Sequence, residues 1–142
     1  STSWSIPCAT PFAMPPKGSI NSVIAIADPD FTAWLDKHHD KCAIGQWFQS
    51  PNAVGRSLGL GWAQAVQARF EAYEKGWKLL VHCGGHAGDA ATAIGLGLPG
   101  VLFTGEHLDK TSLPAIAQRL SSMAEQRGAV FITNPPPLLP TA

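Results

Sequence analysis

The stretch from Trp77 to Pro135 constrains the fold more than any other part of this chain. An apolar run, Lys78-Leu79-Leu80-Val81, leads into His82-Cys83-Gly84-Gly85-His86-Ala87-Gly88-Asp89, and a helix-like segment follows to Leu96. A strand that opens through glycines into a helix gathers backbone N–H groups at the positive end of the helix dipole, a geometry that attracts anions, phosphate above all. The alternation then repeats. Val101-Leu102-Phe103-Thr104 is a second apolar run, Leu113 to Arg127 a second amphipathic helix, and Ala129 to Thr133 a third run. Consecutive βα units of this kind predict neighbouring parallel strands.

The rest of the chain extends the pattern. Residues 1–19 hold four prolines and read as an extended arm, and residues 20–134 as one Rossmann-like α/β domain. The expected architecture is doubly wound, with a mostly parallel sheet and helices on both faces. Val23 to Ala27 is a short strand or a packed linker. Phe31 to His38 reads as a short helix, started near Asp28 or Asp30, and Cys42 to Phe48 as the first strand of the main sheet. A helix is predicted from Leu58 to Lys75, because Trp62, Val66, Phe70 and Tyr73 share one face and Gly76 stops it. In the helix from Leu113 the stripe is Leu113, Ile116, Leu120 and Met123. Ser112 is placed to cap it, Pro114 fits its first turn and Gly128 ends it. Residues 135–142 are too rich in proline for a helix and read as a tail.

Composition narrows the function classes. With 142 residues, 45% hydrophobic and 14% charged, the chain can bury a substantial core. Ten basic residues balance ten acidic ones, so a nucleic-acid role would need a local basic patch. Cys8, Cys42 and Cys83 form no disulfide framework, which points to a reducing compartment and a cytoplasmic location. No run approaches transmembrane length, so no membrane partner is expected.

The motif order resembles the SLOG superfamily of Rossmann-like nucleotide-binding domains, nearest to the DNA-processing (Smf-like) proteins. The likeness rests on Leu80 to Ala91, with its small-residue turn ending in Gly88-Asp89. It continues through Gly100 to Asp109, the helix from Leu113, and Gly128 to Pro135, covering about residues 42–137. The resemblance implies a nucleotide or a phosphate-bearing nucleic acid as partner. Two departures stand out: the Gly-Ser-Arg that closes the family's first strand is replaced by Gly45 to Ser50, and the final strand lacks a Ser-Glu pair. The related phosphoribohydrolases need a Pro-Gly-Gly-x-Gly-Thr motif and a glutamate that the end of this chain does not supply.

The expected ligand-binding set is therefore Arg56, Gly84, Gly85, His86, Gly88, Asp89, Thr104 and Gly105. Gly84, Gly85 and Gly88 would face a phosphate, although glycines also make tight turns for purely local reasons. Arg56 would be the charge partner, His86 a donor, and Thr104 and Gly105 the neighbouring wall. Asp89 would cap the following helix or meet a ribose hydroxyl. No cofactor and no metal are implied, and the chain leaves room for a homo-oligomer. Two other readings compete. Cys83 at the head of a six-residue loop resembles the active loop of rhodanese-like sulfurtransferases. Asp89 stands where a cysteine phosphatase needs arginine, and its charge would oppose both a thiolate and a phosphate. A non-catalytic assembly module is the third reading. The histidines near cysteines (His38, His39 and Cys42; His82, Cys83 and His86) show no zinc-site spacing. Asp28-Pro29-Asp30-Phe31-Thr32 reads as a turn and helix start. The tryptophans read as core anchors, with Trp47 placed at the ligand end of the sheet.

Overall fold

The computed structural model describes residues 20–27 and 30–139. The arm at 1–19, with Trp4 and Cys8, lies outside the described residues, as do Asp28 and Pro29. In chain order the elements are β1 (Val23–Ala25), α1 (Thr32–His38), β2 (Trp47–Gln49), α2 (Val54–Ser57), α3 (Leu60–Ala72), β3 (Lys78–Gly84), α4 (Ala87–Gly95), β4 (Gly100–Phe103), α5 (Leu113–Arg127), β5 (Val130–Ile132) and β6 (Leu138–Leu139). They form one sheet in the order β5-β4-β3-β2-β1-β6, and every pairing in it is parallel. The three runs after Trp77 are neighbours as expected: Val81 stands beside Val101, and Val101 beside Phe131. The class is α/β and Rossmann-like.

Local boundaries differ from the sequence reading for identifiable reasons. The segment from Cys42 to Gln46 is a turn, with Gly45 at φ +76°, so β2 begins only at Trp47. Gly59, at φ +87°, separates the one-turn helix α2 from α3, which starts at Leu60 and not at Leu58. Within α3, Val66 and Phe70 are buried while Trp62 and Tyr73 are half-buried, as the stripe predicts. Gly128 ends α5 at φ +73°, where its N–H and that of Ala129 close the last turn. Ser112 makes no side-chain cap.

Winding is the main difference. The strands follow one another from β1 to β5 without reversal, so the sheet has no switch point of the doubly wound kind. Buried side chains from all five α-helices (among them Leu35, Val54, Phe70, Ile94 and Leu120) join one cluster with Phe48, Leu79, Val81, Cys83, Val101 and Phe103 of the strands. The alternate strand residues Val23, Leu80 and Leu102 form a second cluster, packed by Ile20, Trp47 and Ile132 with no helix residue in it. Among the described residues, one face therefore carries the helices and the other does not. Trp47, at the amino end of β2, lies across that second face. A Cβ on Gly100, two strands away, would stand 2.6 Å from its indole ring. Trp47 is a lid on the core, at the opposite end from the expected ligand edge.

The supposed tail contributes β6, which pairs with β1 at the far edge from β5. Pro136 is buried, and Val23 donates its N–H to Pro137 O at 3.0 Å. A flat sheet would hold β5 and β6 five strand spacings apart, about 24 Å. The six steps from Ile132 to Leu138 reach at most about 22 Å when fully extended. The sheet must therefore be coiled, with its edges drawn together on the helix-free side. Ile20, just before β1, also lines a cleft of about 560 Å³ with Phe131 and Ile132 of β5 and with Pro114, Ala117, Gln118 and Ser121 of α5, which brings the start of β1 close to β5. The helix-free face is concave.

Candidate functional site

The carboxyl ends of β2, β3 and β4 meet three loops, and every site residue expected from the sequence lies on or beside them. At β3 the backbone bulges between His82 and Gly84 in its pairing with β4. Gly84 takes φ +59°, donates its N–H to His82 Nδ1 at 3.2 Å, and accepts the Gly105 N–H at 3.0 Å. The chain then turns, with His86 N–H bonded to Cys83 O, and α4 begins behind His86. Its first internal bond runs from Ala90 N–H to His86 O, so the N–H groups of Ala87, Gly88 and Asp89 have no partner in the helix. No side chain caps this end.

The glycines divide in role. A Cβ on Gly85 would collide with the carbonyl oxygen of Glu106, and one on Gly84 would stand 2.8 Å from Asn52 Oδ1. Both glycines serve close packing of the turn against the neighbouring loops. Gly105, at φ +76°, lies against Leu113 in the same manner. Gly88 alone is exposed, with nothing within 4 Å of where a Cβ would project.

Charge is arranged around this turn in pairs. Arg56 on α2 places Nε 3.1 Å from Asp89 Oδ2 on the first turn of α4. That oxygen is closed off from solvent, and the contact is an ion pair without an aligned hydrogen bond. Gly55 makes it possible, because a Cβ there would stand 2.7 Å from the same oxygen. Asp89 is thus held by Arg56 and does not cap α4. Across the turn, Asn52 donates to Glu106 Oε1 at 3.2 Å, tying the loop after β2 to the loop after β4 above Gly84. Ser50 is buried, and its Oγ accepts the N–H of His82 at 2.8 Å. Thr104 is half-buried, and its Oγ1 is shut away from solvent without a partner.

Cys83 points to the helix side and is fully buried. Burial, and secondarily the Asp89 carboxylate, pushes its thiol up to about 12. Both its burial and its raised pKa disfavour the thiolate that sulfur transfer needs. His82 is also buried, and desolvation lowers its pKa, with the Glu106 carboxylate acting in the other direction. Among the described residues, no three of His, Cys, Asp and Glu gather as a metal site, and no helix is long and apolar enough to cross a membrane.

Asn52, Glu106, Ser50, Gln49 and His82 were not in the set expected from the sequence. Their only signal was their position directly after or at the end of an apolar run, where side chains reach the carboxyl edge of a parallel sheet. No family model, curated protein or solved structure matches the chain.

Proposed function

We propose that this domain binds a small nucleotide, with a phosphate seated against the first turn of α4. The observation that carries the reading is the uncapped start of α4 at the carboxyl end of a central strand, open at Gly88 and with Arg56 beside it. Free N–H groups and the helix dipole together favour an anion there. The SLOG-like order of motifs supports a nucleotide over other anions. A small nucleotide is preferred to DNA because net charge is zero and Arg56 is already engaged by Asp89. Cys83 takes no nucleophilic role in this reading, since its thiol is buried and its pKa is raised.

The test is Gly88→Glu. The position is helical and exposed, and a β-carbon there meets no atom, so the fold holds or gains slightly, by up to about 1 kcal/mol. Its carboxylate stands where the phosphate would sit. Calorimetric titration with a nucleoside diphosphate should lose at least about tenfold in affinity. Wild-type binding should weaken only shallowly with salt, because few counterions are released. Unchanged affinity in the variant sinks the α4 seat, and tight, steeply salt-dependent binding of single-stranded DNA would move the reading to nucleic acid.

A further inference from the structure

The concave face ends in polar groups that the seat at α4 does not use. Side chains alternate along a strand, so Gln49 shares a face with Trp47, His82 with Leu80, and Thr104 with Leu102. The chain stays extended through Thr104, because Gly105 still bonds Gly84 O and turns its α-carbon toward Leu113 on the helix side. Three strands therefore present one polar residue each at their carboxyl ends, all toward the helix-free side. In parallel sheets that coil toward a barrel, this end is where inward-facing residues meet ligands.

The bonding of these residues is incomplete. Gln49 Oε1 and Thr104 Oγ1 are both closed off from solvent and have no partner. Buried oxygens of this kind are rare in folded proteins and call for an explanation. His82 is only 9% exposed, and its Nδ1 accepts the Gly84 N–H. The proton of the neutral ring then sits on Nε2, which becomes a donor. Together they offer an acceptor, a donor and a hydroxyl that is either, and none of the three is charged.

We propose that this end of the helix-free face binds the uncharged heterocycle of a nucleotide, through the edge where a base carries donor and acceptor side by side. Gln49 Oε1 takes an exocyclic or ring N–H, His82 Nε2–H meets a ring nitrogen or carbonyl, and Thr104 supplies the remaining partner. A phosphate would be too poor a fit, because two of the three groups carry unshared oxygen lone pairs and none is cationic. The inference rests on the nucleotide reading for the identity of the ligand. Both seats bracket the end of β3, with four residues between His82 and Ala87. The exposed Asn52–Glu106 hydrogen bond stands beside Gly84, and because both oxygens are closed off from solvent the base reaches them only when that bond opens.

The experiment is calorimetric titration of the full chain with adenosine and uridine, and separately with inorganic pyrophosphate, in wild type, Thr104→Val and Gln49→Leu. Nucleoside binding to wild type should weaken about tenfold in either variant, the scale of one lost hydrogen bond in a buried site. Pyrophosphate binding should not change. Melting temperatures should hold or rise, since each variant removes a buried unpaired oxygen. Failure of nucleosides to bind, or variants that melt higher with unchanged nucleoside affinity, overturns the proposal; in the second case the oxygens hold only buried water. Failure of the α4 seat looks different: the nucleoside binds, its diphosphate binds no tighter, and pyrophosphate does not bind.

Discussion

The two faces of this sheet are built by different means. On the helix-bearing face, a cluster of aromatic rings links two elements and the residue before a third: Phe48 of β2 packs 4.7 Å from Phe70 of α3, and Trp77, just ahead of β3, stands edge-on to both. Stability there comes from long-range interdigitation of large side chains, each worth about 1.5–3 kcal/mol in burial alone. Among the described residues, the concave face carries no helix. Its small core of Val23, Leu80 and Leu102 is closed by one indole, one isoleucine before β1 and the edge of β5. The contrast separates labour: the face with most of the packing holds the fold, and the face with least of it carries the buried, unpartnered oxygens of Gln49 and Thr104.

That contrast can be broken from either side. Phe70→Ala should be the most damaging change, costing about 3–5 kcal/mol, because it empties the centre of the aromatic cluster. Urea denaturation measures it, and a loss below about 1 kcal/mol would mean that the helix-bearing face does not dominate stability. Gly100→Ala comes next, at about 1–3 kcal/mol, since its methyl meets both the Trp47 ring and Leu80. Combining it with Trp47→Leu should recover part of the loss, whereas additive losses would show that Trp47 does not fill the space over Gly100. The smallest effect is a pH dependence from His82. Its folded pKa lies below the ordinary 6.5, so the neutral ring is favoured by folding. Its contribution is present above pH about 6.5 and is lost as pH falls through the lower folded value. His82→Asn should flatten that limb of the stability profile, and an unchanged slope would place the titration elsewhere.

How much of this was legible in the sequence depends on which physical signal carried it. The runs that became β3, β4 and β5 were read correctly because apolar strands and amphipathic helices leave different periods. Their order in space was not readable. Single and double winding share the same alternation, and only the pairing of β1 with β2 and of β2 with β3 reveals that the sheet never reverses. β6 was hidden because Leu138-Leu139 is a two-residue strand beside three prolines, and its pairing with β1 depends on the coiling of the whole sheet. The loop residues of the candidate site were placed at the correct edge, yet their partners were not. Arg56 finds Asp89, and Asn52 finds Glu106, through contacts of 33 and 54 residues' separation that no local pattern encodes. The division among Gly84, Gly85 and Gly88 was equally out of reach, because it depends on what stands opposite each α-carbon.

The connector from Thr133 to Pro137 has a mechanical meaning. Three consecutive prolines, Pro135 to Pro137, favour an extended rod of about 3.1 Å per residue that resists both stretching and collapse. Tied to β5 at one end and to β1 through β6 at the other, the rod behaves as a strut across an arch. It stops the arch from flattening, and it also stops its feet from meeting. The width of the concave opening is then set by covalent geometry, so sequence drift in the surrounding side chains can retune what the opening holds without changing its span.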